Sequence, residues 1–165
     1  MNVSYAAANP VQRAMRRLAA SGPGSRVFAP LLHRLDRPVY RLTGGRATLG
    51  SFVSGLPVVL LTTTGARTGR PRTVPVLGLP TSEGLAVIAS NWGRAGPPAW
   101  DRNLRAHAAA TVAVRGSSQP VRAVEVDGAR RERIWQEALR VYPGWSAYAR
   151  RAPHRQIAVF VLEPT

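Results

Sequence analysis

LLTTTGARTGRPRTVPV, residues 60–76, places two apolar, β-branched runs on either side of a glycine-bracketed loop. Leu60, Leu61 and the three threonines after them continue a run that begins at Pro57. Arg72 to Leu79 reads as a second strand. Gly65 and Gly69 bracket the loop, so the stretch predicts a hairpin. The loop itself carries Arg67, Arg70 and Arg72 within six residues, with no acid nearby. Backbone amides of such a turn can form an anion nest, and guanidinium groups add charge-assisted hydrogen bonds. Spacing alone leaves two readings open: an anion-binding loop or a solvated hairpin. No GxxxxGK[ST] is present, so it is not a Walker loop.

Outward from the hairpin, the strand-like pattern continues. A turn at Thr81–Gly84 leads to a strand over Leu85–Ser90. Asn91–Pro98 reads as irregular and Ala99–Ala106 as a short helix. Thr111–Val114 and Gln119–Val126 form a second hairpin around Gly116-Ser117-Ser118. Asp127 caps a helix to about Tyr142, Gly144–Arg151 adds a further helical turn, and Ile157–Leu162 is a closing strand. Six or seven strands with few crossover helices exclude a doubly wound sheet. They favour a small antiparallel barrel decorated by helices, a mainly β fold of the α+β kind.

Residues 1–46 differ. Asn9-Pro10 reads as an N-cap and first helical position, and Val11, Met15, Leu18 and Ala19 recur at helical spacing. Gly22-Pro23-Gly24 breaks that helix. A second helix is expected over Ser25–Val39, and Thr43-Gly44-Gly45 closes the segment. A short strand over Leu49–Val53 follows. The chain therefore divides into an N-terminal helical extension, 1–46, and a barrel domain, 47–165. Residues 9–39 form a cationic amphipathic surface, which suits either peripheral membrane contact or a helical cap packed on the barrel.

The 165 residues carry a net charge of +15, and every one of the 23 basic residues is arginine. Residues 1–82 hold 11 arginines and one acid, Asp36, whereas residues 83–165 hold 12 arginines and seven acids. An anionic partner is therefore to be sought in the first half. There is no cysteine, which excludes disulfides, thiolate metal sites and cysteine nucleophiles. His33, His107 and His154 lack metal-ligand spacing and read as surface or packing residues. No metal site, Ser-His-Asp arrangement, paired-carboxylate motif, transmembrane run or signal-type apolar core is visible, and no nucleic-acid recognition motif either.

Three further segments could carry chemistry. SNWGR, Ser90–Arg94, sits at a strand end, where polar groups meet ligand rings, or is an ordinary turn. PAWDRNL, Pro98–Leu104, places Trp100 and Asn103 at i, i+3 on one helix. Trp100 reads as core, and Asn103 either bonds a ligand or braces the loop. Tyr142, Trp145 and Tyr148 recur every three residues around Pro143-Gly144, as a core stripe or as a pocket wall.

In this order, LLTTTGARTGRPRTVPV, VIASNWGR (Val87–Arg94), PAWDRNLRA (Pro98–Ala106) and VYPGWSAYARR…IAVFVLEP (Val141–Pro164) resemble the deazaflavin-dependent nitroreductases of actinobacteria. The resemblance covers roughly residues 50–164. It implies a split β-barrel of the kind that binds FMN and resembles pyridoxamine-phosphate oxidase. It also implies reduced coenzyme F420, an 8-hydroxy-5-deazaflavin whose tail carries a phosphate and several glutamates. By resemblance, Arg67, Thr68, Arg70, Pro71 and Arg72 line the tail site, and Ser90, Asn91 and Trp92 approach the ring. Trp100 and Asn103 support the cofactor site. Leu77, Tyr142, Trp145 and Tyr148 lie on the substrate side, with Tyr142, Tyr148, Ser90 or solvent supplying a proton. The implied reaction is hydride transfer to a small-molecule acceptor such as a quinone, enone or nitro compound. The chain departs from the family pattern at Asn91, often lysine, at Leu77 and Gly78, where some members have tyrosines, and at Trp145, often tyrosine. These departures bear on the acceptor. A cytoplasmic location follows, peripheral on the inner face of the membrane if residues 9–39 bind there, with the chain a monomer or homodimer. Rival readings are the same barrel storing a flavin, haem, lipid or deazaflavin, and a basic protein bound to membrane or nucleic acid.

Overall fold

The structure, a computed structural model, describes residues 14, 17, 18, 21–24, 58–114 and 116–165. Six strands close into an antiparallel barrel in the order β1-β2-β3-β6-β5-β4. They are β1 (Val58–Thr64), β2 (Pro71–Thr81), β3 (Gly84–Ile88), β4 (Ala109–Val114), β5 (Ser117–Val126) and β6 (Val159–Pro164). Closure leaves no unpaired edge. Helix α1 (Ala99–Ala106) joins β3 to β4, and α2 (Gly128–Val141) and α3 (Gly144–Arg151) join β5 to β6. The barrel with its helices is the split β-barrel fold anticipated from the sequence.

The period of two decides which side chains meet. Val59, Leu61 and Thr63 of β1 point inward and are buried, while their neighbours are half-buried. On β3 and β6 every residue from Leu85 to Ile88 and from Val159 to Leu162 is buried, because both faces are covered. Leu85, Val87, Phe160 and Leu162 join Val59, Leu61, Val112 and Val121 in one core, which Trp100 and Leu104 of α1 also enter. Ala86, Ile88, Val159 and Val161 join a second core with Ile134, Trp135 and Ala138 of α2 and Tyr142, Trp145 and Tyr148. Each large apolar side chain so buried stabilises by roughly 1.5–3 kcal/mol.

The structure shifts several boundaries. Ser117 and Ser118 are strand residues, paired with Val114 and Ala113, so the second hairpin turns earlier than its serines suggested. Serine hydroxyls face water there and tolerate a strand edge position. Asp127 occupies the N-cap of α2 but makes no side-chain capping bond. Gly22–Gly24 are helical rather than a break: the bend falls at Ser21, whose Oγ accepts from the Gly24 amide at 3.1 Å. Leu18, expected on an apolar stripe, is 51% exposed. The helices expected from Asn9-Pro10 and over Ser25–Val39, the Thr43–Gly45 closure and the strand at Leu49–Val53 lie outside the described residues, apart from the few positions named.

Candidate functional site

The β1–β2 loop is built by its own backbone. The Gly65 amide donates to the Arg70 carbonyl at 2.9 Å, and the Thr68 and Gly69 amides both donate to Gly65 at 3.1 and 2.8 Å. The Ala66 amide donates to Oδ1 of Asn103 at 2.9 Å. Four loop amides are thus committed inside the protein, and the anion nest expected there is not formed by them. The guanidinium groups behave differently. Arg67, Thr68, Arg70, Pro71 and Arg72 are all exposed. Among the described residues, none of the three guanidinium groups has a hydrogen bond or ion pair, whereas Glu83, Asp101, Glu125, Glu132 and Glu163 pair with Arg105, Arg130, Arg131 and Arg133. Three uncompensated cations on one loop repel one another, and a multiply charged anion relieves that repulsion.

Helix α1 holds the loop from beneath. Nδ2 of Asn103 donates to Oγ1 of buried Thr63 at 2.9 Å, while Oδ1 takes the Ala66 amide. Asn103 therefore braces the loop. Trp100 is core, packed edge-on against Phe160 at 6.0 Å, so its service to the loop is to seat α1. Asp101, 2% exposed, accepts from Arg105 at 2.7 Å, and Arg105 also reaches Glu125. The hydrogen bond that Arg105 donates to Asp101 holds the Arg105 pKa above its ordinary value.

Between β3 and α1 the chain makes an unusual turn. Asn91, Trp92 and Gly93 have φ of 46°, 59° and 74°, three left-handed residues in succession. Each non-glycine in that region costs on the order of 1–2 kcal/mol. Side chains from the end of α3 and beyond hold the turn. Arg155 donates to the carbonyls of Ala89 at 3.2 Å, Ser90 at 2.9 Å and Arg94 at 3.4 Å. Arg151 donates to Trp92 O at 3.1 Å, and Nε2 of His154 lies 2.8 Å from Ala95 O. Asn91 closes the turn on itself through Gly96 O at 2.8 Å. Gly93 has no room for a side chain: a Cβ would sit 3.0 Å from the Tyr148 backbone. Burial lowers the Arg155 pKa, and the Asp101 carboxylate opposes that shift. The sequence reads His154 as a surface or packing residue and singles out neither Arg151 nor Arg155. The local signal is the basic run ARRAPHR at the end of a helix, but its targets are carbonyls some 60 residues earlier.

Tyr142, Trp145 and Tyr148 lie in the layer between barrel and α2, only 4%, 3% and 3% exposed. They are packed as core, and they do not present an open face. Their hydroxyls meet, Tyr142 to Tyr148, at 2.9 Å. Gly144 makes this possible, since a Cβ there would collide with the Tyr142 ring. Leu77 and Trp92 sit half-buried against the same cluster, with Trp92 6.0 Å from the Tyr148 ring. Burial, then the neighbouring Tyr142, pushes the Tyr148 pKa well above the ordinary phenol value. The structure thus brings Trp92 and Leu77 together with Tyr142, Trp145 and Tyr148, while Asn103 joins the arginine loop. Among the described residues no helix is long and apolar enough to cross a membrane, and no cluster of metal-ligating side chains occurs.

Three unpartnered guanidinium groups on a loop beside a braced strand end can meet an anion. Comparison with known proteins decides the family. The profile described as F420H(2)-dependent quinone reductase matches residues 32–164. The chain belongs to the F420H(2)-dependent quinone reductase family. This family member is accordingly an F420H(2)-dependent oxidoreductase whose cofactor is reduced coenzyme F420. It is similar to the F420H(2)-dependent quinone reductase Rv1261c of Mycobacterium tuberculosis, 33% identical over 64% of this chain and 71% of that one. It is also similar to Rv3178 of the same organism, 27% identical over 68% of this chain and 94% of that one. Among solved structures, an F420-H2 dependent reductase, FDR-A, is 34% identical over 65% of this chain and 94% of that one, with a TM-score of 0.59. A structure described as a domain-swapped dimer is 32% identical over 77% of this chain and 95% of that one, with a TM-score of 0.62. The haem storage protein HutZ of Vibrio cholerae, 14% identical with a TM-score of 0.51, shares the fold alone.

Proposed function

We propose that this reductase passes a hydride to small quinones, with the F420 tail on the Arg67–Arg72 loop and the ring beside the Ser90–Trp92 turn. The observation that supports the tail assignment is the set of three exposed, unpartnered guanidinium groups on one braced loop. When bound, reduced F420 supplies a hydride from C5 of its deazaflavin ring. That hydride and one proton convert a quinone to its hydroquinone. Arg67, Arg70 and Arg72 bind the tail phosphate and glutamates, and Thr68 and Pro71 shape the loop. Ser90, Asn91 and Trp92 orient the ring. Half-buried Leu77 and Trp92, backed by the buried cluster of Tyr142, Trp145 and Tyr148, offer an apolar surface that suits a flat acceptor better than a charged one. The Tyr142 and Tyr148 hydroxyls are buried and bonded to each other, so they support this surface from behind and neither donates to the acceptor nor acts as a base. Solvent then provides the proton.

Purified protein with reduced F420 and a 1,4-naphthoquinone should oxidise the cofactor, followed by its absorbance, faster than with a nitroimidazole or an enone. Turnover with the nitro compound alone would overturn the quinone assignment. Binding with no turnover of any acceptor would favour a storage role.

A further inference from the structure

We propose that Arg155 is a positioning residue for the cofactor ring: it holds the left-handed Asn91–Gly93 turn in shape from behind, without itself touching the cofactor. The proposal rests on the reading that this turn faces the deazaflavin ring. A run of three residues with φ between 46° and 74° is not a conformation that Asn91 and Trp92 adopt unaided. Something must over-determine it, and the turn's own hydrogen bonds do so only in part. The Gly93 and Arg94 amides close short bonds to Ser90 and Asn91 at 2.9 and 3.0 Å. The carbonyls of Ala89, Ser90 and Arg94 then converge on one guanidinium, that of Arg155. Its planar fork is the side chain that can bridge the strand end before the turn and the chain leaving it. Its place along the chain is fixed, since it lies two residues before Ile157, which is buried in the aromatic core. Arg151 repeats the device from α3, with its guanidinium 5.0 Å over the Tyr148 ring and one nitrogen on Trp92 O. The backbone of the turn is therefore set by residues roughly 60 positions later in the chain.

The test compares full-length F420 with a tailless deazaflavin, each titrated by its fluorescence, in Arg155→Ala, Arg155→Lys, Trp92→Ala and the Arg67→Ala/Arg70→Ala double variant. Arg155→Ala should weaken both ligands by about tenfold, the loss in affinity that about one hydrogen bond's worth of misplaced contact brings. The double variant should weaken the full cofactor only. Arg155→Lys keeps the charge but cannot bridge both sides, so it should resemble Arg155→Ala, and it carries the test if the alanine variant does not fold. Amide hydrogen exchange should quicken in residues 89–97 and stay slow in β1 and β2. Unchanged affinity for the tailless ligand in folded Arg155 variants, with a lowered melting temperature alone, would reduce Arg155 to a structural role and overturn the proposal. Unchanged tailless affinity in Trp92→Ala as well would instead overturn the reading that the turn faces the ring.

Discussion

The two arginine groups of this protein use one side chain in opposite ways. On the β1–β2 loop, Arg67, Arg70 and Arg72 project into water with no protein partner among the described residues. Behind the Asn91–Gly93 turn, Arg151 and Arg155 are turned inward onto four carbonyl oxygens. In the proposed function, the first group is a reserve of charge for a ligand. The second is internal scaffolding, where the guanidinium serves as a multi-pronged donor and its charge is incidental. Arginine content alone, in a chain with no lysine, could not separate the two. What separates them is whether acceptors already surround the guanidinium.

The largest effect that could break this contrast is expected at the loop. Replacing Arg67, Arg70 and Arg72 together by alanine should lower F420 affinity by at least about 100-fold, since each charged hydrogen bond is worth roughly 1.5–3 kcal/mol. The melting temperature should hold, because these side chains stabilise nothing within the protein. Affinity that survives, or a melting temperature that collapses, would place these arginines with the scaffolding group. Isothermal titration and a thermal melt decide between them.

A middle-sized effect is expected at Asn103. Asn103→Ala leaves the buried Thr63 hydroxyl with only its long bond to the Arg72 carbonyl and the Ala66 amide without its acceptor, at a cost of about 1–3 kcal/mol. Melting should fall by about 2–4 °C for each kcal/mol in a domain of this size. A melting temperature that does not move would show that the loop needs no brace.

The smallest effect concerns a third use of arginine, surface pairing. Hydrogen bonds from Arg130, then Arg133, hold the Glu83 carboxyl below its usual 4.5. Its stabilisation is present above pH 4.5 and is lost as pH falls through the lowered folded value. Glu83→Gln should therefore flatten the acid side of the stability profile slightly, and salt should remove most of the difference. An acid profile identical to the wild type at low salt would mean that these exposed pairs contribute nothing.

Much of the fold was legible because local pattern and tertiary environment agree. Val58–Thr64 alternates inward and outward as a half-covered strand must, and α1 and α3 fall where helical spacing placed them. β3 was legible for the other reason, a short apolar run that is covered on both faces. The arginine loop could be read because its charges are contiguous. The clamp could not. Arg155 and the carbonyls it holds are separated by more than 60 residues, and backbone carbonyls have no letter in a sequence. Left-handed φ at Asn91 and Trp92 was equally silent, since only Gly93 advertised it. The aromatic stripe gave an ambiguous signal: its spacing fits a pocket wall and a core layer equally well, and only burial distinguishes them.

Helix α1 starts just after the left-handed turn and presents Asn103 to the arginine loop. At 1.5 Å per residue its eight residues make a rod about 12 Å long. Trp100 seats that rod in the core against Phe160, and Asn103 ties it to Thr63 and Ala66. A shift of the core beneath α1 is therefore carried to the end of β1 as a rigid lever carries a push.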